Sequence, residues 1–422
     1  MSAELVRIFL AIIVPVKFQD YSISPLIKSQ LKRMDFNKPT DIQFKSIPHI
    51  MKGEDVMAIA QTGTGKTGAF VIPVLDKLEK FGRKNYTGIR ALVMVPTREL
   101  AQQITTVFKE IGKDTSVKTM GLYGGVEQEQ QIKRLEKRVD VLVATPGRMF
   151  DLISQGFIDV SGVEVLILDE ADLMLDMGFL KDIQDIVKKI PKHRQTLFFT
   201  ATIDKKIKSL AYSVVRDAIR IQISPKNPVA RNVDHAVTFI EMDDKRFFLE
   251  NILREYEEDM FIVFVRTKVR AERVVAAMER VGVKTQFFHG GMEQADRFKL
   301  LDSFRKEEFR VLVTTDVAAR GIDIPSVKYV INYDLPEDPE LYVHRCGRCG
   351  RGTNRGQAMS FCSEGEIEFL TLIEEYTGEQ ITRHEIDKSD YKAIVFDSED
   401  PTYDWKSLLD DDNKFSGTEE EW

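Results

Sequence analysis

Eight consecutive residues, Ala60-Gln61-Thr62-Gly63-Thr64-Gly65-Lys66-Thr67, have the composition of a loop that wraps phosphate. Gly63 and Gly65 let backbone amides turn inward around phosphate oxygens. Lys66 supplies a cation for the outer phosphates and Thr67 a hydroxyl for Mg²⁺, and the start of the helix behind them adds partial positive charge. Ala60 stands where the general pattern has its first glycine, so the loop alone also fits an ordinary tight turn between strand and helix. The run Val165-Leu166-Ile167-Leu168 ends in Asp169-Glu170 and supplies the other half of such a site. Ligands of open α/β sheets bind beyond the carboxyl ends of strands. There, Asp169 is placed to hold the metal, directly or through water, and Glu170 to orient or deprotonate an attacking water. A helix cap would account for one of these carboxylates but not for the pair.

Such residues need a scaffold that gathers strand ends. Short apolar runs recur at 55–60, 91–95, 139–144, 163–169 and 196–199, separated by longer amphipathic stretches such as 98–111 and 181–189. Continuous apolar runs fit strands buried on both faces, and their alternation with helices reads as a parallel sheet covered on both sides. Pro73 falls in the helix expected after the glycine-rich loop and predicts a kink or an early end there. Ser224-Pro225-Lys226-Asn227-Pro228 continues neither a helix nor a central strand and reads as a linker. The rhythm restarts at 261–265, 284–288, 310–313, 327–331 and 357–361, implying a second parallel α/β domain. The expected division is a disordered leader (1–17), a first domain (18–223), a linker (224–232), a second domain (233–390) and a disordered acidic tail (391–422).

Asp169-Glu170-Ala171-Asp172 spells the signature of the DEAD-box ATP-dependent RNA helicases, and the chain from Phe18 to Arg383 resembles that family, in the style of its bacterial members. The resemblance implies two tandem RecA-like parallel-sheet domains joined by a short linker, with ATP and Mg²⁺ as cofactors. Phe36-Asn37-Lys38-Pro39-Thr40-Asp41-Ile42-Gln43 resembles the adenine-reading segment, with Gln43 on the adenine edge and Phe18 stacked on the ring. RNA contacts are implied for Pro96, Thr97, Arg98, Gly125, Thr145 and Arg148 in the first domain, and for Arg266, Gln294, Arg297 and Thr314 in the second. The residue types suit a phosphate track of hydroxyls, guanidinium groups and glycine-exposed amides. Thr200-Ala201-Thr202 stands where the family usually has Ser-Ala-Thr; with Asp172 it is implied to couple the nucleotide to the RNA side. Gly321 and Asp323 are implied to touch the nucleotide, and Arg348 and Arg351 resemble arginine fingers on the γ-phosphate. The same motifs serve a local RNA unwinder and an ATP-gated RNA clamp that recruits partners. A DNA helicase of similar architecture is the third reading, with RNA favoured by the resemblance.

Composition is consistent with this picture. Hydrophobic residues at 43% and charged residues at 30% suit globular domains with full cores. The net charge of -7 arises in the tail, where residues 397–422 hold ten acidic side chains against two lysines; the remaining body is close to neutral, which leaves room for a basic groove. The tail is expected to be solvated, to mimic RNA, or to dock a protein partner through Trp405 or Trp422. Three late cysteines do not form a disulfide framework and suit a cytoplasmic location. Cys346 and Cys349 lie between the arginines of the last motif; filling positions there is the simpler reading, a zinc or redox site the sharper one. The apolar run 8–16 is short of the ~20 residues that span a bilayer. The enzyme is expected to act as a monomer on RNA, with little sequence preference.

Overall fold

The structure, a computed structural model, describes residues 17–61, 63–82, 88–223, 232–319, 327–350, 355–396 and 398. It contains two seven-stranded sheets in two compact units, which divide between β7 and β8. The first half opens with a 3-10 turn (Phe18–Asp20), α1 (Pro25–Arg33) and α2 (Asp41–Met51). Its strands are β1 (Val56–Ile59), β2 (Ala91–Met94), β3 (Thr119–Leu122), β4 (Val141–Ala144), β5 (Val165–Leu168), β6 (Gln195–Thr200) and β7 (Ile219–Gln222). Between them run α3 (Lys66–Phe81), α4 (Arg98–Ile111), α5 (Gln128–Leu135), α6 (Pro146–Ser154), α7 (Ala171–Asp176), α8 (Leu180–Lys189) and α9 (Lys205–Val214). The second half carries β8 (Val233–Phe239), α10 (Lys245–Glu255), β9 (Phe261–Phe264), α11 (Lys268–Arg280), β10 (Thr285–Phe288) and α12 (Gln294–Arg305). It continues with β11 (Val311–Thr314), α13 (Asp316–Ala319), β12 (Tyr329–Asn332), α14 (Pro339–Cys346), β13 (Gly356–Cys362), a 3-10 turn (Glu364–Glu366), α15 (Ile367–Thr377), β14 (Thr382–Arg383) and α16 (Lys388–Phe396).

The sheet orders are β3-β4-β2-β5-β6-β1-β7 and β10-β11-β9-β12-β13-β8-β14, with parallel neighbours throughout. Counting strands within each half, the two orders are identical: the fold repeats although the sequence shows no repeat. All ten apolar runs became strands. β3, β7, β8 and β14 were not legible, because three of them are sheet edges and the fourth neighbours an edge. Their faces are part-exposed, so they lack the continuous apolar signal of a central strand. α4 illustrates how a helix docks: Thr97 Oγ1 accepts from Leu100 N (3.2 Å) to cap it, and Leu100, Ile104, Phe108 and Ile111 recur at helical spacing to bury one face.

Two expectations are corrected. The early end expected at Pro73 does not occur: α3 runs through it to Phe81. The neighbouring Val71, Ile72, Val74 and Leu75 are all buried, and this packing offsets the one hydrogen bond that proline removes. The tail does not begin at 391. Residues to Phe396 form α16, whose Tyr391 hydroxyl donates to Asp244 Oδ2 (2.8 Å) and accepts from Glu241 N (3.1 Å), with its ring against Phe248. Ile394 and Val395 join the same core cluster, a stripe too short to register as amphipathic in the sequence. The leader and the acidic run beyond residue 398 lie outside the described residues. Among the described residues no helix is long and apolar enough to cross a membrane.

The cysteine pair packs as filler. Cys346 and Cys349 are buried, burial raises both thiols (Cys349 to about 12), and Cys349 Sγ donates to Cys346 O (3.3 Å). Among the described residues no group of three or more His, Cys, Asp or Glu side chains gathers to hold a metal ion. His235 on β8 pairs through Nδ1 with Tyr342 Oη (2.9 Å), and burial lowers its pKa to about 4. The unfolded chain takes up this proton near 6.5 and the folded chain only near 4, so the stability His235 contributes is present above pH 6.5 and lost as pH falls through that window. The full swing is about 3 kcal/mol. Urea titrations of His235→Gln are expected to show a shallower loss of stability between pH 6.5 and 4 than those of the parent protein.

Candidate functional site

Strand order sorts the chemistry of the first unit. β1, β6 and β5 are neighbours, and their carboxyl ends lead into the glycine-rich loop, Ala201-Thr202 and Asp169-Glu170. β2, β4 and β3 form the other half of the sheet and lead into Pro96-Thr97-Arg98, Thr145 and Gly124-Gly125. Ala60 N donates to Thr200 O (3.0 Å), extending the ladder to the lip of the loop. Thr64 Oγ1 donates to Gln61 O (2.7 Å) and shapes the turn. Gly65 has φ +93°, and a Cβ there would lie 2.7 Å from Gln43 Nε2 and 2.8 Å from Thr40 Oγ1, so glycine is required on both counts. Gln43 Nε2 donates to Gly65 O (3.0 Å) while its Oε1 accepts from Thr40 N (3.0 Å). One N–H and one lone pair of the amide are left for an adenine edge.

Lys66 opens α3 and is 7% exposed, and its ammonium has no hydrogen-bond partner among the described residues. Such a buried donor costs free energy until an anion meets it. Thr67 follows it, half-buried. Asp169 is 3% exposed. Burial raises its pKa; Lys66 and the Glu170 N–H (3.0 Å to Oδ1) pull it back, and Asp172 adds to the rise. A carboxylate in this position gains from a cation. With Thr67 it offers the hard oxygen ligands that Mg²⁺ prefers. Glu170 adopts φ +50°, a left-handed conformation that costs a non-glycine residue about 1–2 kcal/mol, at the start of α7. Asp172 Oδ2 accepts from Ala201 N (2.8 Å) and Thr202 N (3.0 Å), and Thr200 Oγ1 donates to Thr202 O (2.8 Å). The three coupling residues expected from the sequence are thus in direct contact, and threonine supplies the hydroxyl as serine would.

On the other half of this sheet, Thr97 caps α4, Arg98 is that helix's first residue, and Gly125 has φ +77°. Arg148 Nη1 donates to Gln131 Oε1 (2.7 Å) and to Val126 O (3.4 Å), which anchors the guanidinium beside the glycine turn. The second sheet is sorted in the same way. Thr314 ends β11, Arg266 follows β9, and Gln294 and Arg297 lie in the first turn of α12. α14 follows β12, and Arg348 lies in the turn beyond it, its N–H donating to Arg345 O (3.0 Å).

A family model described as DEAD/DEAH box helicase matches residues 40–210, and one described as helicase conserved C-terminal domain matches 244–353. ATP-dependent RNA helicase CshA of Listeria monocytogenes is 38% identical over 361 residues, 86% of this chain and 69% of that protein. ATP-dependent RNA helicase DbpA of Bacillus subtilis is 37% identical over 368 residues, 87% of this chain and 76% of that protein. The chain belongs to the DEAD-box helicase family. Its fold matches S. cerevisiae Dbp5 bound to RNA and ADP BeF3 with a TM-score of 0.80 at 29% identity, covering 90% of this chain and 99% of that one. For Mss116 bound to single-stranded RNA and UDP-BeF the TM-score is 0.81 at 27% identity, covering 94% and 86%. Two tandem RecA-like units are therefore the architecture of this DEAD-box helicase.

Two of the site residues expected in this helicase are enclosed in the structure. Phe18 is 2% exposed and packs in the core with its ring tilted against Tyr21. The exposed ring of the adenine-reading segment is Phe36, at 48%. Thr314 is fully buried, its hydroxyl donating to Phe288 O (3.1 Å) across the strand pair; the half-buried Thr315 beside it is the hydroxyl nearer the surface. Sequence reasoning also missed Arg345 and Asp316. Arg345 is 2% exposed and grips Asp316 through Nε–Oδ1 (2.6 Å) and Nη2–Oδ2 (2.7 Å), with its guanidinium over Phe264. The signal was present in the arginine spacing of His344-Arg345-Cys346-Gly347-Arg348, but a buried guanidinium cannot be told from a ligand-facing one without the fold. Thr62, Gly321, Asp323 and Arg351 lie outside the described residues.

Proposed function

We propose that this helicase hydrolyses ATP under stimulation by RNA and uses the cycle to separate or remodel short RNA duplexes and RNA–protein complexes. The observation that carries the reading is the buried Lys66 ammonium beside Asp169, without a hydrogen-bond partner among the described residues, in a glycine-rich loop. An outer phosphate oxygen supplies the anion that Lys66 lacks. The loop amides from Gln61 to Thr67 cradle the phosphates, and Gln43 reads the adenine with its remaining donor and acceptor. Thr67 and Asp169 would hold Mg²⁺, which neutralises phosphate charge when bound. Glu170 orients and deprotonates the attacking water. Arg348 and Arg351 stabilise charge on the transferring phosphoryl group, a role worth on the order of 10³–10⁵ in rate in related NTPases. Asp172, Thr200 and Thr202 relay the nucleotide state to the RNA-side loops.

RNA is held through its backbone by Pro96, Thr97, Arg98, Gly125, Thr145 and Arg148 and by Arg266, Gln294, Arg297 and the Thr314-Thr315 strand end, with little sequence preference. We place the enzyme in the cytoplasm as a monomer, with the acidic tail as a surface for protein partners. The deciding experiment is steady-state ATP hydrolysis with no nucleic acid, with single-stranded RNA and with single-stranded DNA. Stimulation by RNA alone is expected. Equal stimulation by DNA would overturn the RNA assignment, and the absence of any stimulation would overturn the coupled mechanism.

The base-stacking assignment is tested separately. Stacking a base on an aromatic ring is worth about 1–3 kcal/mol. Phe36→Ala is therefore expected to raise the ATP concentration at half-maximal turnover by about 5- to 150-fold without lowering Tm. Phe18→Ala is expected to destabilise the first unit by about 3–5 kcal/mol in urea titrations, as for other buried phenylalanines.

A further inference from the structure

In the second unit, four adjacent strands, β9, β12, β13 and β8, send their carboxyl ends toward two buried carboxylates. Glu366, 1% exposed, closes the 3-10 turn after β13. Its Oε2 accepts from Ser363 N (3.0 Å), Ser363 Oγ (2.8 Å) and Lys245 Nζ (2.5 Å). Its Oε1 accepts from Leu335 N (3.2 Å), beyond β12, and from Arg266 Nη2 (3.3 Å), beyond β9. Lys245, the first residue of α10 and fully buried, also donates to Tyr333 O (2.8 Å) and Phe361 O (3.3 Å). Asp334, also fully buried, accepts from Arg266 N at Oδ2 (3.1 Å), and its Oδ1 lies 2.7 Å from Arg270 Nε. The carbonyl of Asp334 accepts from Arg345 Nη1 (2.7 Å). Arg345 in turn grips Asp316 and, through its own carbonyl, receives the N–H of Arg348.

A continuous run of contacts therefore joins Arg266 to the turn that bears Arg348 within one folding unit, passing through Asp334 and, alongside it, Glu366 and Lys245. Stability alone is a poor reason for such a cluster. Apolar residues of similar volume in place of a buried ion pair are often neutral or stabilising, whereas buried charges fix register. Burial lowers the pKa of Lys245. In Glu366 burial acts upward, but Lys245 and Ser363 outweigh it and hold the carboxyl below its usual range. The Lys245 Nζ–Glu366 Oε2 contact of 2.5 Å and the backbone bonds around it tie the four strand ends to a fixed point.

We propose that Glu366 and Lys245 are positioning residues that couple RNA contact at Arg266 to the placement of the Arg348 turn, so that the second unit has its own RNA-to-nucleotide link, separate from the Asp172–Thr202 contact of the first. This rests on the functional reading above, in which Arg266 meets RNA and Arg348 meets the γ-phosphate. Coupling between Arg266 and Glu366 is measured directly by a double-mutant cycle.

The test measures ATP turnover against single-stranded RNA concentration for the parent protein, Glu366→Gln, Arg266→Ala and their combination, with Tm for each. Glu366→Gln is expected to raise the RNA concentration for half-stimulation by about 10-fold, inside the 5–150-fold span of typical coupling energies. Its RNA-free turnover and its half-saturating ATP concentration are expected to stay at parent values. In the Arg266→Ala background the same change is expected to add less than about 2-fold, because the linkage starts at that arginine. Should Glu366→Gln fail to fold, the paired change K245M/E366L decides: it removes both charges together and is expected to hold or raise Tm while still losing the RNA response. An unchanged RNA response in whichever of the two folds, or multiplicative effects of Glu366→Gln and Arg266→Ala, overturns the coupling and leaves the helicase reading intact. A parent protein that RNA does not stimulate overturns both.

Discussion

Lys66→Met is expected to abolish ATP turnover while leaving the nucleotide-free protein at least as stable as the parent. The two signs come from one atom. The Lys66 ammonium is buried without a hydrogen-bond partner among the described residues, so in the absence of ATP it is a liability of about 1–3 kcal/mol, or more for a charged group. Methionine has nearly the same shape and needs no partner. In the reaction the same ammonium neutralises charge on the outer phosphates in a dry site, and loss of one such donor costs about 10²–10³ in turnover. Asp169 adds a pH signature. Burial raises its pKa and Lys66 opposes that rise, so removing Lys66 lets it climb further. A carboxyl that binds its proton more tightly folded than unfolded adds stability at low pH, and the contribution is lost as pH rises through the raised value. The Tm advantage of Lys66→Met over the parent is therefore expected to grow on acidification. Calorimetry across pH, together with steady-state turnover, checks both halves. A large fall in Tm at neutral pH would mean that the attraction between Lys66 and Asp169 outweighs the cost of burying the ammonium.

Glu170→Gln is expected to lower RNA-stimulated turnover by about 10²–10⁴-fold, the usual worth of a positioned general base. Nucleotide and RNA binding are expected to persist. The amide is isosteric with the carboxylate, and the Asp172 contacts to Ala201 and Thr202 do not involve Glu170. The backbone at this residue is already in the left-handed region, held by the end of β5 and the start of α7, and this sets the direction in which the side chain leaves the chain. The variant is therefore expected to accumulate with ATP and RNA bound, which filter binding in the presence of ATP would register. If nucleotide binding falls as far as turnover, Glu170 serves the ground state and the water-activating role is lost.

Much of the site was legible because its chemistry is local. A phosphate loop must be contiguous, so Ala60 to Thr67 announce themselves, and Asp169-Glu170 follow an apolar run whose carboxyl end is a binding position in any parallel sheet. The central strands were readable because burial on both faces makes their runs predominantly apolar. That Phe18 and Thr314 are enclosed was not legible, for the complementary reason. Residue type and motif position do not reveal which side of the backbone faces the core, and both side chains turned out to be enclosed. Phe36, seven residues before Gln43 in the same segment, carries the exposed ring instead.

What the sequence determined by itself is the set of reacting groups and the two-sheet class of fold, because contiguous motifs and apolar runs are written along the chain. Only the tertiary structure decided how those groups are sorted. The orders β3-β4-β2-β5-β6-β1-β7 and β10-β11-β9-β12-β13-β8-β14 place the phosphate and arginine elements on one half of each sheet and the proposed RNA elements on the other. Only the fold brought Lys245, Asp334 and Glu366, separated by up to 121 positions, into one buried cluster. Strand order is set by crossover connections and long-range packing, and neither leaves a mark in local composition.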